Sequence, residues 1–283
     1  MNPVVAVIAP GMMGAAVAGR LVENGLKVLT SLAGRSADTV ARAKKHGLTA
    51  ASDEEIAASD FILSILPPGD AVALAQRFAP ALTASNSKPV FVDCNAVSPP
   101  TAERIAAAIA PTGSPFVDAG IIGAPPKPGD AGPRFYASGP HAPRFAALKQ
   151  YGLDVRLLDG PLTAASAVKM SYAGITKGTQ ALAAVMLLAA TRAGSADALF
   201  AELQSSQPQM LAWLKRNLAL MPPKAYRWVA EMHEIADFVS EDPSGHELYA
   251  GAAHFYEQIA RDFAADKKEV AALEVFMSKG ASS

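Results

Sequence analysis

The sequence predicts an α/β fold: a doubly wound parallel sheet in residues 1–160, then an all-α domain in 161–283 entered through one long helix. Three observations predict it. Up to about residue 160, short runs rich in valine, isoleucine and phenylalanine alternate with alanine-rich amphipathic stretches, the pattern of strands covered by helices. Beyond Leu162 the strand signal fades and helical periodicity remains. The length, 283 residues, suits two domains that each bury a core.

Strands are predicted at 4–8, 27–31, 61–65, 90–93, 116–119, 135–138 and 154–157. Between the first two, residues 12–24 place apolar side chains at helical spacing and Asn24-Gly25 supplies a stop, which makes one βαβ unit. Later helices are predicted at 163–194, 196–204, 208–217, 225–239 and 246–277. Thr163 offers an N-cap side chain to the first of these, whose interior breakers are Gly174 and Gly178. It is read as the helix joining the two domains. Pro222-Pro223 and Asp242-Pro243-Ser244-Gly245 punctuate the later helices.

Composition narrows the function. Charged residues make up 18%, the hydrophobic set 51%, and the net charge is -1, so the chain reads as ordered, without a basic footprint for nucleic acid or an anionic membrane. Cys94 is the single cysteine, which leaves no disulfide framework and no cysteine cluster for a metal, and fits a reducing cytoplasm. Ala16-Val17-Ala18 imitates a signal-peptide cleavage site. No basic residue precedes the apolar opening and Pro10-Gly11 interrupts it, so a signal peptide is not expected. The apolar run 181–190 is too short to span a bilayer. Small-molecule chemistry is the expectation.

The first strand ends in Ala9-Pro10-Gly11-Met12-Met13-Gly14, a G-x-G-x-x-G turn with alanine at its first position, lying between a strand and a helix as in a Rossmann-type domain. Gly11 would let the backbone approach a pyrophosphate, Gly14 would let helix and strand pack closely, and the helix N-terminus would attract phosphate charge. Pro10, Gly11, Met12, Met13 and Gly14 are therefore cofactor candidates. After the second strand, no carboxylate follows until Asp38, whereas Arg35 and Ser36 can neutralise and hydrogen-bond a 2′-phosphate, so NADP is favoured over NAD. Two further loops leave strand ends: Leu66-Pro67-Pro68-Gly69-Asp70, and Asp93 to Pro99 with Asn95. Leu66, Pro67 and Asn95 join the cofactor candidates.

With these motifs in this order the chain resembles the β-hydroxyacid dehydrogenase and 6-phosphogluconate dehydrogenase superfamily. The resemblance covers nearly the whole sequence: the Ala9–Gly14 turn, Leu66-Pro67-Pro68, Asp93-Cys94-Asn95, Asp118-Ala119-Gly120-Ile121-Ile122-Gly123-Ala124 as the substrate loop, and Ala167-Val168-Lys169-Met170 as the catalytic lysine segment. It implies Lys169 as general acid and base, and a homodimer formed through the helical domain. The departures are Ile122 in place of serine, Tyr172-Ala173 in place of asparagine or a histidine-asparagine pair, and Thr176 in place of a glutamate. They remove polar groups that hold 6-phosphogluconate or 3-hydroxyisobutyrate. The segment 226–236 is similar to a less characterised branch with its own C-terminal domain.

The chemistry follows from residue types. Moving hydride from a carbinol carbon to nicotinamide requires one group to take the hydroxyl proton and, in reverse, to return it. A lysine in a partly dry interdomain cleft can do both near neutral pH. Asn95, Gly123 and Tyr172 are the substrate candidates: an amide, an accessible backbone N–H and a hydroxyl about one turn beyond Lys169. Glu231 and Glu234 are read as a solvated helix face, and His233-Glu234-x-x-Asp237 as a chance likeness to a zinc helix, so no metal is expected. The expected function is NADP-dependent hydride transfer on a small hydroxy or keto acid, with decarboxylation open where the hydroxyl is β to the carboxylate. Imine reduction on the same scaffold, and a non-catalytic NADP-binding sensor, are the alternatives.

Overall fold

The computed structural model describes residues 2–280. Two compact units divide the chain, residues 1–170 and 171–283, so Lys169 belongs to the first. Its eight strands are β1 (Val4–Ile8), β2 (Lys27–Thr30), β3 (Thr49–Ala50), β4 (Phe61–Ser64), β5 (Val90–Asp93), β6 (Phe116–Ile122), β7 (Arg134–Ser138) and β8 (Asp154–Leu157). Its helices are α1 (Met12–Glu23), α2 (Ala37–Lys45), α3 (Asp53–Ala57), α4 (Ala71–Ala84), α5 (Pro99–Ile109) and α6 (Ala142–Ala146). The strands lie in the order β3-β2-β1-β4-β5-β6-β7-β8. The chain thus winds outward from β1 in both directions, and the order reverses between β1 and β4.

Both faces of the sheet are buried, which is why its strands read as continuous apolar runs. Successive residues serve opposite cores. Val5, Val7, Leu63 and Val92 pack with Val17 and Leu21 of α1. Ala6, Ile8, Ile62 and Phe91 pack with Phe78 of α4 and Ile105 of α5.

One junction departs from the expected parallel sheet: β6 and β7 pair antiparallel, and β8 then runs parallel to β7. The reason lies in residues 123–133, which join β6 to β7. They hold four prolines and three glycines and form no helix, and a parallel return needs a longer, usually helical, crossover. Arg20 of α1 ties this loop down, donating to the Lys127 carbonyl at 2.8 Å and to Asp130 at 3.0 Å.

The long helix α7 (Ala164–Arg192) starts in the first unit and continues into the second. There it is followed by α8 (Ala196–Ser206), α9 (Pro208–Leu218), α10 (Ala225–Phe238), α11 (Pro243–Ala264) and α12 (Lys268–Ser278). By length and hydropathy, mean 1.3 over its most apolar window, α7 could cross a membrane; buried helices of globular domains meet the same test. Gly174 and Gly178 are packing positions rather than breakers: a Cβ at either would lie 2.9 and 3.1 Å from the Tyr249 ring or hydroxyl on α11.

The expected single helix over 246–277 is two. It breaks at 265–267, where Lys267 takes a left-handed φ of 56° and the Asp262 carboxylate accepts the Val270 amide at 2.9 Å as the new helix starts. No glycine or proline marks the break. Glu231, expected on a solvated face, is 6% exposed and forms an ion pair with Lys177, whose ammonium also sits 4.9 Å from the Trp228 ring. Tyr256, buried beside them, donates to the Lys177 carbonyl at 2.6 Å. Glu234 is half-buried.

Candidate functional site

Open α/β sheets bind ligands outside the carboxyl ends of their strands, near the point where strand order reverses. The turn after β1 lies there. Ala9 donates to the Ile65 carbonyl at 3.1 Å, which brings the glycine turn beside the loop leaving β4. The two glycines have different jobs. A Cβ on Gly14 would fall 2.0 Å from the Ala9 carbonyl oxygen, whereas a Cβ on Gly11 would meet nothing within 4 Å. Gly14 is required by the packing of helix on strand, and Gly11 faces open space. No side chain caps α1, so its N-terminal N–H groups are available to phosphate oxygens. These features fit a dinucleotide. Met12 is 58% exposed at the turn, while Met13 packs on the core.

Arg35 and Ser36 follow β2, the strand next to β1, and both are exposed. The Ser36 hydroxyl caps α2, accepting the Thr39 amide at 3.4 Å. Two guanidinium groups that sequence reasoning missed lie close by. Arg42 of α2 donates to the Pro10 carbonyl at 3.3 Å, and Arg77 of α4, paired with Asp53, donates to Ser31 at 2.8 Å. Helical spacing from Arg35 could have pointed to Arg42. Nothing local pointed to Arg77.

Asn95 makes its hydrogen bonds inside the protein. It is 2% exposed, and its amide is spent inside the protein: Oδ1 accepts the Leu66 amide at 2.6 Å, and Nδ2 donates to Ser64 at 2.8 Å and to Asp93. The bond to Leu66 fixes the Leu66-Pro67 loop.

A buried polar row crosses four strands. Ser64, Asp93, Asp118 and Ser138 are register neighbours on β4, β5, β6 and β7, and each is fully buried. Burial first, and the Asp118 charge second, push the Asp93 carboxyl up to about 8. Its Oδ2 has no hydrogen-bond partner among the described residues, as suits a carboxyl that keeps its proton at neutral pH. Burial also raises Asp118, but hydrogen bonds from Ser166 and Ser138 restrain it to about 6.

Those bonds meet the start of α7. The Ala165 amide donates to Ser138 Oγ at 2.9 Å, the Ser166 amide to Asp118 Oδ2 at 2.7 Å, and the Ser166 hydroxyl to Asp118 Oδ1 at 2.6 Å. The N–H groups that an N-cap side chain at Thr163 would take are therefore held by the sheet instead. Lys169, half-buried, stands over β6: a Cβ on Gly120 would lie 2.9 Å from the lysine Cβ and 3.0 Å from the Ala165 carbonyl oxygen. Gly123, with φ of 134°, is exposed just past the end of β6, and Ile122 is buried. Tyr172 lies in the second unit and is 51% exposed, so it is not a core aromatic.

Comparison with known proteins agrees with this geometry. Residues 4–150 match the NAD binding domain of 6-phosphogluconate dehydrogenase. The chain belongs to that family. Residues 190–259 match a domain of unknown function, DUF1932, which gives the family's dinucleotide domain a distinct helical partner. A conserved protein of unknown function, described as structurally similar to 3-hydroxyacid dehydrogenases, is 30% identical, covers 92% of this chain and 98% of its own, and superposes with a TM-score of 0.69. A 3-hydroxyisobutyrate dehydrogenase from Mycobacterium tuberculosis shares the fold at 20% identity, with 97% and 99% of the chains covered and a TM-score of 0.71. So does an imine reductase from Myxococcus stipitatus in complex with NADP+, at 17% identity, 98% and 100% coverage and a TM-score of 0.56. The family makes the chain an oxidoreductase of the nicotinamide-dependent kind.

Two outcomes are expected. Gly14→Ala should cost about 1–3 kcal/mol in urea unfolding through the clash with Ala9. Gly11→Ala should leave stability within about 0.5 kcal/mol and weaken nicotinamide dinucleotide binding by on the order of tenfold, read by fluorescence titration. The second outcome concerns pH. Because the Asp93 carboxyl is raised to about 8, the folded protein holds a proton that the unfolded chain releases above the ordinary carboxylate range. Stability should therefore fall as pH rises toward about 8, by at most about 1.4 kcal/mol per pH unit for one proton. Asp93→Asn should flatten the urea midpoint between about pH 6 and pH 8; an unaltered slope would refute the assignment.

Proposed function

We propose that the protein is an NADP-dependent dehydrogenase or reductase that moves hydride between nicotinamide and a small hydroxy or keto acid, with Lys169 as general acid and base. The observation that carries this reading is a half-buried lysine set over a glycine of β6, in the unit that bears the dinucleotide turn. The cofactor, when bound, supplies the hydride acceptor for oxidation and the donor for reduction. In oxidation the Lys169 amine takes the hydroxyl proton as the carbinol C–H bond breaks, and the C–O bond becomes a carbonyl. In reduction its ammonium returns that proton to the carbonyl oxygen. Where the hydroxyl is β to the carboxylate, the product is a β-keto acid that can then lose carbon dioxide.

The preference for NADP rests on Arg35 and Ser36 after β2, with no carboxylate before Asp38. Gly123, exposed past β6, offers a backbone N–H to the substrate carboxylate. Retention of Lys169 favours the hydroxy-acid reading over imine reduction. A cytoplasmic location accords with the single, buried Cys94.

We also propose a homodimer built on the second unit. Ile175, Leu182 and Val185 of α7 and Leu248 of α11 are 69, 62, 39 and 61% exposed, and they flank a groove of about 540 Å³ between those helices. Apolar surface arranged in this way is what a second copy would cover. Light scattering at micromolar concentration should give twice the chain mass, and a monomer would exclude this assembly.

Wild-type protein should bind NADPH more tightly than NADH, and Arg35→Ala should erase most of the difference, about 1–3 kcal/mol. Equal affinities before mutation would rule out the 2′-phosphate reading. Lys169→Ala should leave NADPH affinity unchanged and lower turnover by about 10²–10⁴ on a substrate found by screening hydroxy and keto acids. Full activity in that variant would remove lysine from the mechanism. NADPH binding with no turnover across the panel would favour the sensor.

A further inference from the structure

We infer that Asp118, acting with Ser138 and Ser166, is the positioning group that sets where Lys169 stands. The inference rests on the acid–base reading of Lys169 and adds to it three fully buried residues.

Every helix leaves the N–H groups of its first turn without partners inside the helix. In α7, the Ala167 amide makes the first regular helical bond, to the Thr163 carbonyl at 3.1 Å, and of the amides at 164–166 ahead of it Ala164 donates to the Pro161 carbonyl at 3.1 Å. The other two are taken by the sheet. Ala165 donates to Ser138 on β7, and Ser166 to Asp118 on β6, with the Ser166 hydroxyl adding a second bond to the same carboxylate. The Ser138 hydroxyl also donates to the Leu162 carbonyl at 2.8 Å, so the segment entering the helix is held as well.

A cap in the preceding loop would satisfy the same amides but would move with the helix. A cap borne by two paired strands fixes the helix start to the sheet itself. For stability alone, a buried carboxylate is a poor choice, because well-packed apolar groups do as well without the desolvation cost. What the carboxylate adds is direction: two oxygens accept from two donors of one residue, which fixes the rotation and the rise of the first turn. Gly120, two residues after Asp118 on β6, carries no Cβ and lets the helix come close at the Lys169 level. The anchor and the lysine are thus one turn apart along a single helix face, with the intervening backbone pressed on the strand. Lysine has a long and flexible side chain, so its base must be held if its amine is to sit within reach of one hydroxyl.

The test uses Asp118→Ala, with Ser166→Ala and Ser138→Ala as milder variants should the first fail to fold. Three measurements are made on the intact chain. Amide exchange over 165–169 should quicken by about tenfold in each folded variant. Labelling of Lys169 by an amine-reactive ester, read by peptide mapping against the exposed Lys44, should rise about threefold or more. On any acid that the wild type turns over, kcat should fall by about tenfold while KM and NADPH affinity stay within about twofold. Variants that lose thermal stability yet keep wild-type exchange and Lys169 labelling would overturn the proposal, since the bonds would then be structural only. If the wild type turns over nothing, exchange and labelling still decide this inference, and only the catalytic reading of Lys169 falls.

Discussion

The bond between the Asp118 carboxylate and the first turn of α7 is the constraint on which the candidate site is built. It joins the two kinds of structure in the chain: a strand deep in the sheet, and the helix that leaves the sheet domain for the helical one. A carboxylate taken out of water is costly unless donors surround it, and here the amide and hydroxyl of Ser166 do so. The positive end of the helix adds to their effect. The same arrangement determines its neighbour. Burial first, and the negative charge on Asp118 second, disfavour a charge on Asp93, which takes the neutral form while Asn95 donates to it. A structural role for Asn95 follows from that choice, because its amide is consumed by groups around Asp93.

What could be read from the sequence was whatever depends on near neighbours. The strand at 4–8, the turn from Ala9 to Gly14 and the helix after it are written in adjacent residues, and the separate roles of Gly11 and Gly14 followed from stereochemistry alone. The reversal at β6 and β7 was also within reach, since residues 123–133 are too rich in proline and glycine for a crossover helix. Partners far apart in the chain were not legible. Asn95 finds Leu66 and Ser64, Ser166 finds Asp118, and Lys177 finds Glu231, all across 29 to 54 positions. Asn95 read as a ligand and Glu231 as a surface group until the fold brought each its partner. The break at 265–267 hid for a different reason: a lysine took the left-handed backbone that glycine would have advertised.

The second unit follows the same rule with other materials. Lys177 and Glu231 share a small, largely dry site with Trp228 and Tyr256, and the Tyr256 hydroxyl is held in its protonated form first by burial and then by the Glu231 charge. A pair of this kind adds little to stability compared with apolar residues of equal volume, but removing one partner strands the other. It specifies how α7, α10 and α11 meet. The helix that carries Lys169 is therefore registered by buried charge at its first turn and again near its middle, within each unit separately.

The division of labour between Gly11 and Gly14 bears on how such chains age. Position 14 answers to the fold, because any side chain there meets the backbone of residue 9. Position 11 answers only to whatever is bound in front of it. In a descendant that has given up its dinucleotide, glycine should persist at 14 while 11 drifts to alanine, serine or larger residues without harm to folding. A relative that has drifted at 11 but not at 14 would be a fossil of the binding site: intact in architecture, and relieved of its ligand.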